Sequence, residues 1–381
     1  TRITQMKSLI SIAAALSLFA AAAQATTCTI PTTGKDDTSA IQSAFKSCAT
    51  GGTVVFTKGS TYYLNAMISL TGLQGTTVQF DGTLNLPVYA SSYENGAAYI
   101  SVTGDSVKWT GTGTIVGNGQ AWYDKKLTDA PRVLAIHTTN SVFSGFKITQ
   151  APRAHFSVNA AKNTVLENLT INTVSTSSNP AKNTDAFDVS SSSGIIIRGS
   201  NVNNGDDCLA VNSGVTNLTF TNNNCVGSHG FSIGSLGKDL STGTVDGVNI
   251  TTNSCTNCQN GVRIKTWPGG QGYVKNIIFN NINLQNVDNP ILITTHYCDS
   301  EHQSSCNADD SSSLSISAVN INNVYGTVST AGHPVLSVNC STKTPCSNFA
   351  ITNINVAKAS KTPKNVCIDL TGSSSIPYCS Q

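Results

Sequence analysis

Four clusters of ionisable side chains and one tyrosine could carry out acid–base and anion-binding chemistry. They follow one another along the middle of the chain as Asn183-Thr184-Asp185, Gly205-Asp206-Asp207-Cys208, Ser228-His229-Gly230, Arg263-Ile264-Lys265 and Tyr297. Three carboxylates suit the hydrolysis of a glycosidic bond, where one protonated carboxyl serves the leaving oxygen and an ionised one activates water. Crowding of like charges raises one pKa and permits this division. The arginine and lysine would supply positive charge for an anionic substrate.

The spacing of the clusters predicts that they stack in space. The steps from Asp185 to Asp206, then to His229, Arg263 and Tyr297, are 21, 23, 34 and 34 residues. Each step is about one coil of a parallel β-solenoid, or one coil with an insertion. Equivalent positions on adjacent coils lie about 4.8 Å apart. We therefore expect a column of functional side chains on one face.

Local geometry restricts how these side chains can meet. Arg263 and Lys265 are two residues apart, so on a strand they point the same way. Asp206 and Asp207 are adjacent and would point to opposite faces of a regular strand. Both aspartates can therefore reach one site only from a turn or a bulge.

A recurring sequence pattern along the chain predicts the solenoid. Short β-branched runs alternate with turns rich in asparagine and glycine, and asparagine tolerates left-handed backbone and can hydrogen-bond up a stack. Neighbouring copies lie 20 to 42 residues apart, and their marker residues are Val78, Val107, Val142, Val165, Ile195, Val215, Val245, Val274, Ile316 and Phe349. An antiparallel sandwich or barrel predicts hairpin dipeptides instead. We expect an all-β, right-handed parallel β-helix.

One amphipathic helix is predicted near the start of this repeat, over Asp36–Cys48, with Thr38 or Ser39 as its N-cap. A helix there would cover the open N-terminal end of the solenoid, which otherwise exposes core and strand edges. Its apolar stripe is Ile41, Ala44 and Phe45.

The first 25 residues have the pattern of a secretory signal peptide. Met6 and Lys7 precede an apolar run, Leu9–Ala23, and the signal Ala23-Gln24-Ala25 follows. We expect cleavage after Ala25 and a single catalytic domain over residues 26–381. Loss of Arg2 and Lys7 leaves 22 − 2 = 20 basic against 20 acidic side chains. Such a balance argues against nucleic acid as a partner, and an anionic substrate needs a local cluster of bases.

Twelve cysteines in a secreted chain indicate six disulfides. Close spacing suggests Cys255–Cys258, Cys298–Cys306, Cys340–Cys346 and Cys367–Cys379, which leaves Cys28–Cys48 and Cys208–Cys225. The spacing of four residues resembles that of zinc ligands: His296, Cys298, His302 and Cys306. An oxidising compartment favours the Cys298–Cys306 disulfide over a zinc site. Possible glycosylation sequons begin at Asn168, Asn217, Asn249 and Asn339.

The motifs Asn-Thr-Asp, Gly-Asp-Asp, Ser-His-Gly and Arg-Ile-Lys, in this order and spacing, resemble those of the polygalacturonases, glycoside hydrolase family 28. The resemblance covers essentially the whole chain after residue 25. It implies an extracellular, monomeric enzyme that needs no metal or organic cofactor. Such an enzyme hydrolyses α-1,4-galacturonosyl linkages of polygalacturonate, the backbone of pectin, with inversion.

The resemblance also implies roles for the clustered residues. Asp206 would be the general acid, and Asp185 and Asp207 would hold and deprotonate the attacking water. His229 would tune the protonation of the acid. The residues expected to bind substrate are Asn183, Arg263, Lys265 and Tyr297.

Three further expectations concern the mode of action. The lack of large insertions favours endo-cleavage. A pectate lyase is an alternative, in which Asp185, Asp206 and Asp207 would bind calcium and Arg263 would be the base. A pectin-binding homologue without activity is another, although retention of the complete charged set argues against it.

Overall fold

A computed structural model describes residues 26–299 and 312–380 of the chain. Short strands run parallel and stack coil upon coil in a right-handed β-helix, which confirms the predicted fold. The strands of the described residues are β1 (Thr27–Thr29), β2 (Thr53–Phe56), β3 (Thr61–Tyr63), β4 (Ile68–Gln74), β5 (Thr77–Phe80), β6 (Thr83–Asn85), β7 (Ala98–Asp105), β8 (Lys108–Thr110), β9 (Thr114–Val116), β10 (Arg132–Thr139), β11 (Val142–Ser144), β12 (Lys147–Thr149), β13 (Phe156–Asn159), β14 (Val165–Glu167), β15 (Thr170–Asn172), β16 (Phe187–Ser190), β17 (Ser193–Arg198), β18 (Asn201–Asn203), β19 (Leu209–Val211), β20 (Val215–Thr221), β21 (Asn224–Val226), β22 (Phe231–Leu236), β23 (Thr242–Thr256), β24 (Asn260–Thr266), β25 (Gln271–Val287), β26 (Asn289–Thr294), β27 (Ser315–Val328), β28 (Leu336–Asn339), β29 (Ser347–Ala357) and β30 (Val366–Ile368).

Among the described residues, one eleven-stranded sheet positions the functional clusters. Its strands lie side by side in the order β4, β7, β10, β13, β16, β19, β22, β24, β26, β28 and β30. The remaining nineteen strands form two stacks that merge at the long strand β23. Because every coil contributes one strand to the eleven-stranded sheet, residues just before successive strands of that sheet lie above one another.

Apolar side chains fill the interior of the coils, and asparagines form ladders at the corners. Phe156 and Phe187, on adjacent coils, stack with ring centroids 5.4 Å apart. Asn217 and Asn276 have φ angles of 53° and 56°, the left-handed conformation predicted for the turns. Asn223 donates its backbone N–H to the Asn253 side-chain oxygen on the next coil at 2.9 Å. These ladders satisfy buried polar groups along the stack.

The predicted helix is present as α1 (Thr38–Ser47), and it buries the expected stripe against the first coils. Phe45 lies 5.7 Å from Trp109 between ring centroids, so the helix covers the N-terminal end of the core. The predicted N-cap is wrong, because Asp37 occupies that position. Thr38 is already inside the helix, and its backbone N–H donates to the Asp36 carboxylate at 3.0 Å. A short second helix is α2 (Gln120–Asp124).

The repeat markers are only partly in register. Val215, Val245, Val274 and Ile316 stack on successive coils. Val78, however, lies beside Trp109 rather than Val107. Val107 is buried in the turn before β8. Across the markers, the variable turns shift the sequence pattern by up to three positions, since Ile195 pairs with Leu218 and Phe349 with Val319. Local sequence similarity therefore identifies the coils without giving their exact alignment.

Five of the six predicted disulfides are confirmed: Cys28–Cys48, Cys208–Cys225, Cys255–Cys258, Cys340–Cys346 and Cys367–Cys379. Cys298 is disulfide-bonded as well, and Cys306 and His302 lie outside the described residues. In the described segments, every helix is too short or too polar to span a lipid bilayer.

Candidate active site

All eight residues predicted for catalysis or substrate binding line one cleft of about 690 Å³ on the eleven-stranded side of the helix. The strands β16, β19, β22 and β24 pair in sequence beneath it. The turns that precede these strands, and β24 itself, direct ionisable side chains into the same space. The eight residues are Asn183, Asp185, Asp206, Asp207, His229, Arg263, Lys265 and Tyr297.

The expected column is formed by the aspartates and the histidine, and the bases join it from a different register. The backbone N–H of Ala186 donates to the backbone oxygen of Asp207, and that of His229 donates to the backbone oxygen of Asp206 at 2.8 Å. These turns therefore lie on consecutive coils. Arg263 aligns with Ser232, three residues beyond His229. Long side chains on β24 therefore reach back toward the carboxylates across one coil.

Asp206 and Asp207 lie at a bend before β19, the irregular backbone that was expected if both are to face one site. Asp206 also forms a pair with His229. The His229 Nδ1 and Asp206 Oδ1 atoms are 3.1 Å apart, and the backbone N–H groups of Asn183 and Asp207 also donate to the Asp206 carboxylate. Burial raises the pKa of Asp206, but the hydrogen bond and charge of His229 and the charge of Lys265 outweigh burial and lower it overall. The pKa of His229 shifts upward for the matching reason, since Asp206 outweighs the effect of burial.

Asp207 is buried and lies between a base and a hydroxyl. Lys265 Nζ donates to Asp207 Oδ2 at 2.9 Å, and an Arg263 Nη1 atom lies 3.9 Å from Oδ1. Ser232 donates its hydroxyl to the same Oδ1 at 2.7 Å. These contacts hold the carboxylate in one orientation at the floor of the cleft.

Asp185 is the carboxyl group in the cleft whose surroundings most favour the neutral form. Burial raises its pKa well above the usual range, and the neighbouring charges of Asp188, Asp206 and Asp207 add to that effect. Behind it, His155 is buried, donates a hydrogen bond from Nδ1 to the Asp185 backbone oxygen at 2.8 Å, and has its pKa lowered by burial to about 4. His155 is therefore a neutral structural histidine.

The distribution of protons in the unliganded cleft differs from the one expected from the motifs. The expectation assigns the neutral carboxyl to Asp206, whereas here Asp206 is the carboxylate of an ion pair and Asp185 is the easier group to protonate. The physical reason is the set of N–H donors around Asp206, which stabilises its charged form. The lowered pKa of Asp206 and the raised pKa of His229 both favour placing a shared proton on His229.

Sequence analysis missed four residues that shape the cleft: Asp188, Arg153, Ser232 and Asn204. The Asn204 amide donates to three backbone oxygens, those of Thr184, Asp206 and Asp207, and so ties two catalytic turns together. Arg153 precedes Asp185 by 32 residues, one coil with an insertion, so the spacing rule that found the column would have found it. Asp188 and Ser232 carry no comparable signal.

Aromatic residues close the C-terminal side of the cleft. Both Arg263 and Lys265 lie over the Tyr297 ring, with the guanidinium carbon and Nζ 5.6 Å and 5.4 Å from its centroid. Trp267 is buried and packs edge-on against Tyr297, with centroids 5.3 Å apart. The buried indole of Trp267 therefore packs behind the Tyr297 ring.

One group in the described part of the chain has the geometry to hold a metal ion. Ligand atoms of Asp206, Asp207 and His229 lie within 4.8 Å of one another. All three are already paired, His229 with Asp206 and Asp207 with Lys265, so a cation would have to displace these contacts. His137 and His333 lie away from the cleft and bond to Asn159 and Asn289.

Comparison with known proteins identifies the family. Residues 48–375 match the family model for glycosyl hydrolases family 28. The chain belongs to this family. Over 94% of its length it is 48% identical to an exopolygalacturonase of Rhizopus delemar, with 94% of that protein covered. An exopolygalacturonase of Cochliobolus carbonum is 34% identical over 91% of the chain and 84% of the relative.

Two solved structures share the fold. An endo-xylogalacturonan hydrolase from Aspergillus tubingensis superposes with a TM-score of 0.83 at 30% identity, covering 91% of this chain and 96% of the other. A polygalacturonase from Erwinia carotovora has a TM-score of 0.68 at 25% identity, covering 90% and 96%. The prediction of endo-cleavage finds no support among the similar sequences described, whose names specify exopolygalacturonases.

Proposed function

We propose that this family 28 hydrolase cleaves α-1,4-galacturonosyl linkages of polygalacturonate and that it acts from chain ends. The observation that carries the substrate class is the cleft itself, where three carboxylates lie next to Arg263 and Lys265. Names of the more similar relatives support exo-action, since an exopolygalacturonase is 48% identical and the endo-xylogalacturonan hydrolase 30%. The enzyme would be secreted, in keeping with its disulfides.

In this proposal, Asp206 and His229 together deliver the proton to the leaving oxygen. The pair holds one proton, which lies on the imidazolium in the unliganded cleft. Transfer from Nδ1 to Asp206 produces the neutral carboxyl that a general acid requires. A leaving oxygen placed against Asp206 favours that transfer because it accepts the proton as the glycosidic bond breaks.

Asp185 and Asp207 would hold the attacking water on the other side of the bond. Asp185 must then be ionised in the working complex, and the nearby charge of Lys265 is the interaction that lowers its pKa against the effects of burial and of the neighbouring carboxylates. The ligand atoms of Asp206 and Asp207 are within 4.8 Å, closer than the roughly 6.5–9.5 Å of most inverting pairs. A third carboxylate supplies the additional water contact, so we keep inversion as the proposed outcome.

Arg263, Lys265 and Tyr297 would bind the carboxylate of the galacturonosyl unit at the point of cleavage. Lys265 retains two N–H donors beyond the one given to Asp207, and the Nε atom of Arg263 is buried without a partner among residues 26–299 and 312–380. Asn183 would contact substrate from the opposite wall of the cleft. Charge-assisted bonds of this kind are strong and geometrically selective.

The decisive assay uses the full chain on demethylated polygalacturonate with excess EDTA. Reducing ends, absorbance near 235 nm, product lengths and the anomeric proton signals of the first product are followed together. We expect new reducing ends without ultraviolet absorbance, galacturonate monomer from the earliest time, and inverted products.

Each other result has a definite meaning. Ultraviolet absorbance that appears without EDTA and stops with it would establish a lyase, and mixed oligomers at early times would establish endo-cleavage. Retained configuration would reject the assigned water contact. Polygalacturonate binding without any product would identify a binding protein.

A further inference from the structure

A second group of bases lies on the N-terminal side of the carboxylates, opposite Arg263 and Lys265. Arg153 and Lys182 line the same cleft as the catalytic cluster. Arg132 begins β10, which pairs with β13, and β13 pairs with β16 beside the cleft. The coil order therefore continues the functional column toward the N-terminus with two guanidinium groups.

Both guanidinium groups keep unused hydrogen-bonding capacity. Among the described residues, neither has a carboxylate oxygen within 4.0 Å. Arg153 donates only a long bond, 3.5 Å from Nη1 to the Ala130 oxygen, and the Nε of Arg132 is buried without a partner. Burial and then the charge of Arg132 lower the pKa of Arg153, which shows that the two cations oppose each other. An anion between them would relieve that repulsion.

The cleft also has space on this side. A second hollow of about 490 Å³ adjoins it and shares the lining residues Thr128 and Lys182. Lys126, Asn179 and Pro180 form part of its wall. The hollow therefore extends the cleft away from Lys265 and adds a further ammonium group.

We propose that Arg153, assisted by Lys182, binds the carboxylate of a second galacturonosyl unit on the N-terminal side of the catalytic carboxylates. The backbones of Arg153 and Lys265 are separated by four coil steps, roughly 19 Å at about 4.8 Å per step, so the two bases engage different sugar units. The substrate is thus held by cations on both sides of the bond that breaks. This inference rests on the proposed function.

A purely structural role for Arg153 is the competing explanation. Arg153 lies near Asp188 and Asp185, and it would then only offset their negative charge. Loss of a structural cation changes stability, whereas loss of a substrate contact changes KM. The two roles therefore separate in a kinetic measurement.

The test compares Arg153→Gln and Lys182→Gln with the wild type on trigalacturonate and tetragalacturonate. One charge-assisted contact corresponds to roughly a 10- to 100-fold rise in KM for Arg153→Gln, and a smaller rise for exposed Lys182→Gln, with kcat changed less than about threefold. Arg153→Lys should recover part of the loss. The control Arg198→Gln removes an outer-face arginine paired with Glu167 and should leave KM unchanged.

Calorimetric titration of trigalacturonate into the same proteins separates this inference from the proposed function. If the wild type binds the oligomer but does not cleave it, the proposed function fails, and weaker binding by Arg153→Gln still supports the subsite. Wild-type KM and affinity in Arg153→Gln would overturn the inference. Should that variant not fold, a wild-type KM in Lys182→Gln would overturn it equally.

Discussion

At the scale of single residues, the cleft sorts chemically identical carboxyl groups by their surroundings. Asp206 accepts three N–H donors and is stabilised as an anion, while Asp185 lacks a comparable set and lies among like charges. Asp207 is fixed by Lys265 and Ser232. One type of side chain thus gains different protonation behaviour from local contacts, which is the condition for acid and base to coexist.

Asp206 provides the sharpest catalytic prediction. Asp206→Asn keeps the shape of the side chain but removes the acid, so we expect kcat to fall by on the order of 10³-fold or more. Thermal melting and oligogalacturonate affinity should change little. Asp246→Asn, at a half-exposed ion pair with Lys275 outside the cleft, is the matched control. Near-normal turnover in Asp206→Asn would overturn the role assigned to this residue.

Asp188 predicts a pH dependence of stability. Burial raises its pKa to about 7, and nearby Asp206 and Asp207 act in the same direction, against the opposing charges of Arg132 and Arg153. A carboxyl whose pKa is raised in the folded state binds its proton more tightly there than in the unfolded chain. Its stabilising effect is full below about pH 4 and is lost as pH rises through about 7.

Asp188→Asn cannot ionise, so its free energy of unfolding should decline less than that of the wild type between pH 5 and pH 8. The expected difference in decline is at most about 3 kcal/mol. Urea denaturation at several pH values measures it, with Asp246→Asn as the control. The charge of Asp188 also contributes to the raised pKa of Asp185, so removing it in Asp188→Asn reduces the decline through Asp185 in the same direction. Equal pH dependence in Asp188→Asn and the wild type would contradict this account.

At the scale of elements, α1 shows how a short helix depends on one buried side chain. Asp37 is fully buried, and its carboxylate accepts the backbone N–H groups of Thr33 and Tyr63 at 2.6 Å and 2.9 Å. The Thr33 hydroxyl donates to it as well. These bonds attach the start of the helix to β3 and hold the helix over the open end of the core.

Asp37→Ala should therefore destabilise the protein by about 2–4 kcal/mol, because two buried N–H groups lose their acceptor. Urea denaturation measures the loss. Asp36→Ala removes an exposed carboxylate with a bond to the neighbouring Thr38 and should destabilise the protein much less than Asp37→Ala does. Similar losses in the two variants would show that Asp37 does not anchor the helix.

At the scale of the whole molecule, the solenoid converts distance along the chain into short distances across a cleft. Asp207 and Lys265 are separated by 58 residues and joined by a 2.9 Å bond. The chain as a whole carries nearly balanced charge, so the cleft and not the overall field concentrates cations near a polyanion. Insertions between coils lengthen the turns while the parallel strands keep the functional residues stacked.

The sequence by itself determined the fold class, eight of the residues that line the cleft and five disulfide pairings among the described residues. The repeat and its variable intervals are local patterns, and parallel stacking follows from them. The assignment of the bend at Asp206 and Asp207 was possible because adjacent strand residues cannot face one site. Glycosylation remains a prediction at the four sequons, of which Asn168 and Asn217 are exposed and Asn249 and Asn339 half-buried.

Only the tertiary structure decided the register between coils, the partners of each carboxyl and the residues that join the cleft from unrelated segments. Val107 and Val78 occupy the same position in the repeated sequence pattern, but they are not paired between adjacent coils. The length of the turns sets the register between coils, and local composition does not. Asp206 is paired with His229 while Asp185 is not, a difference invisible in their motifs. Protonation depends on burial and neighbouring charge, which are properties of the folded chain.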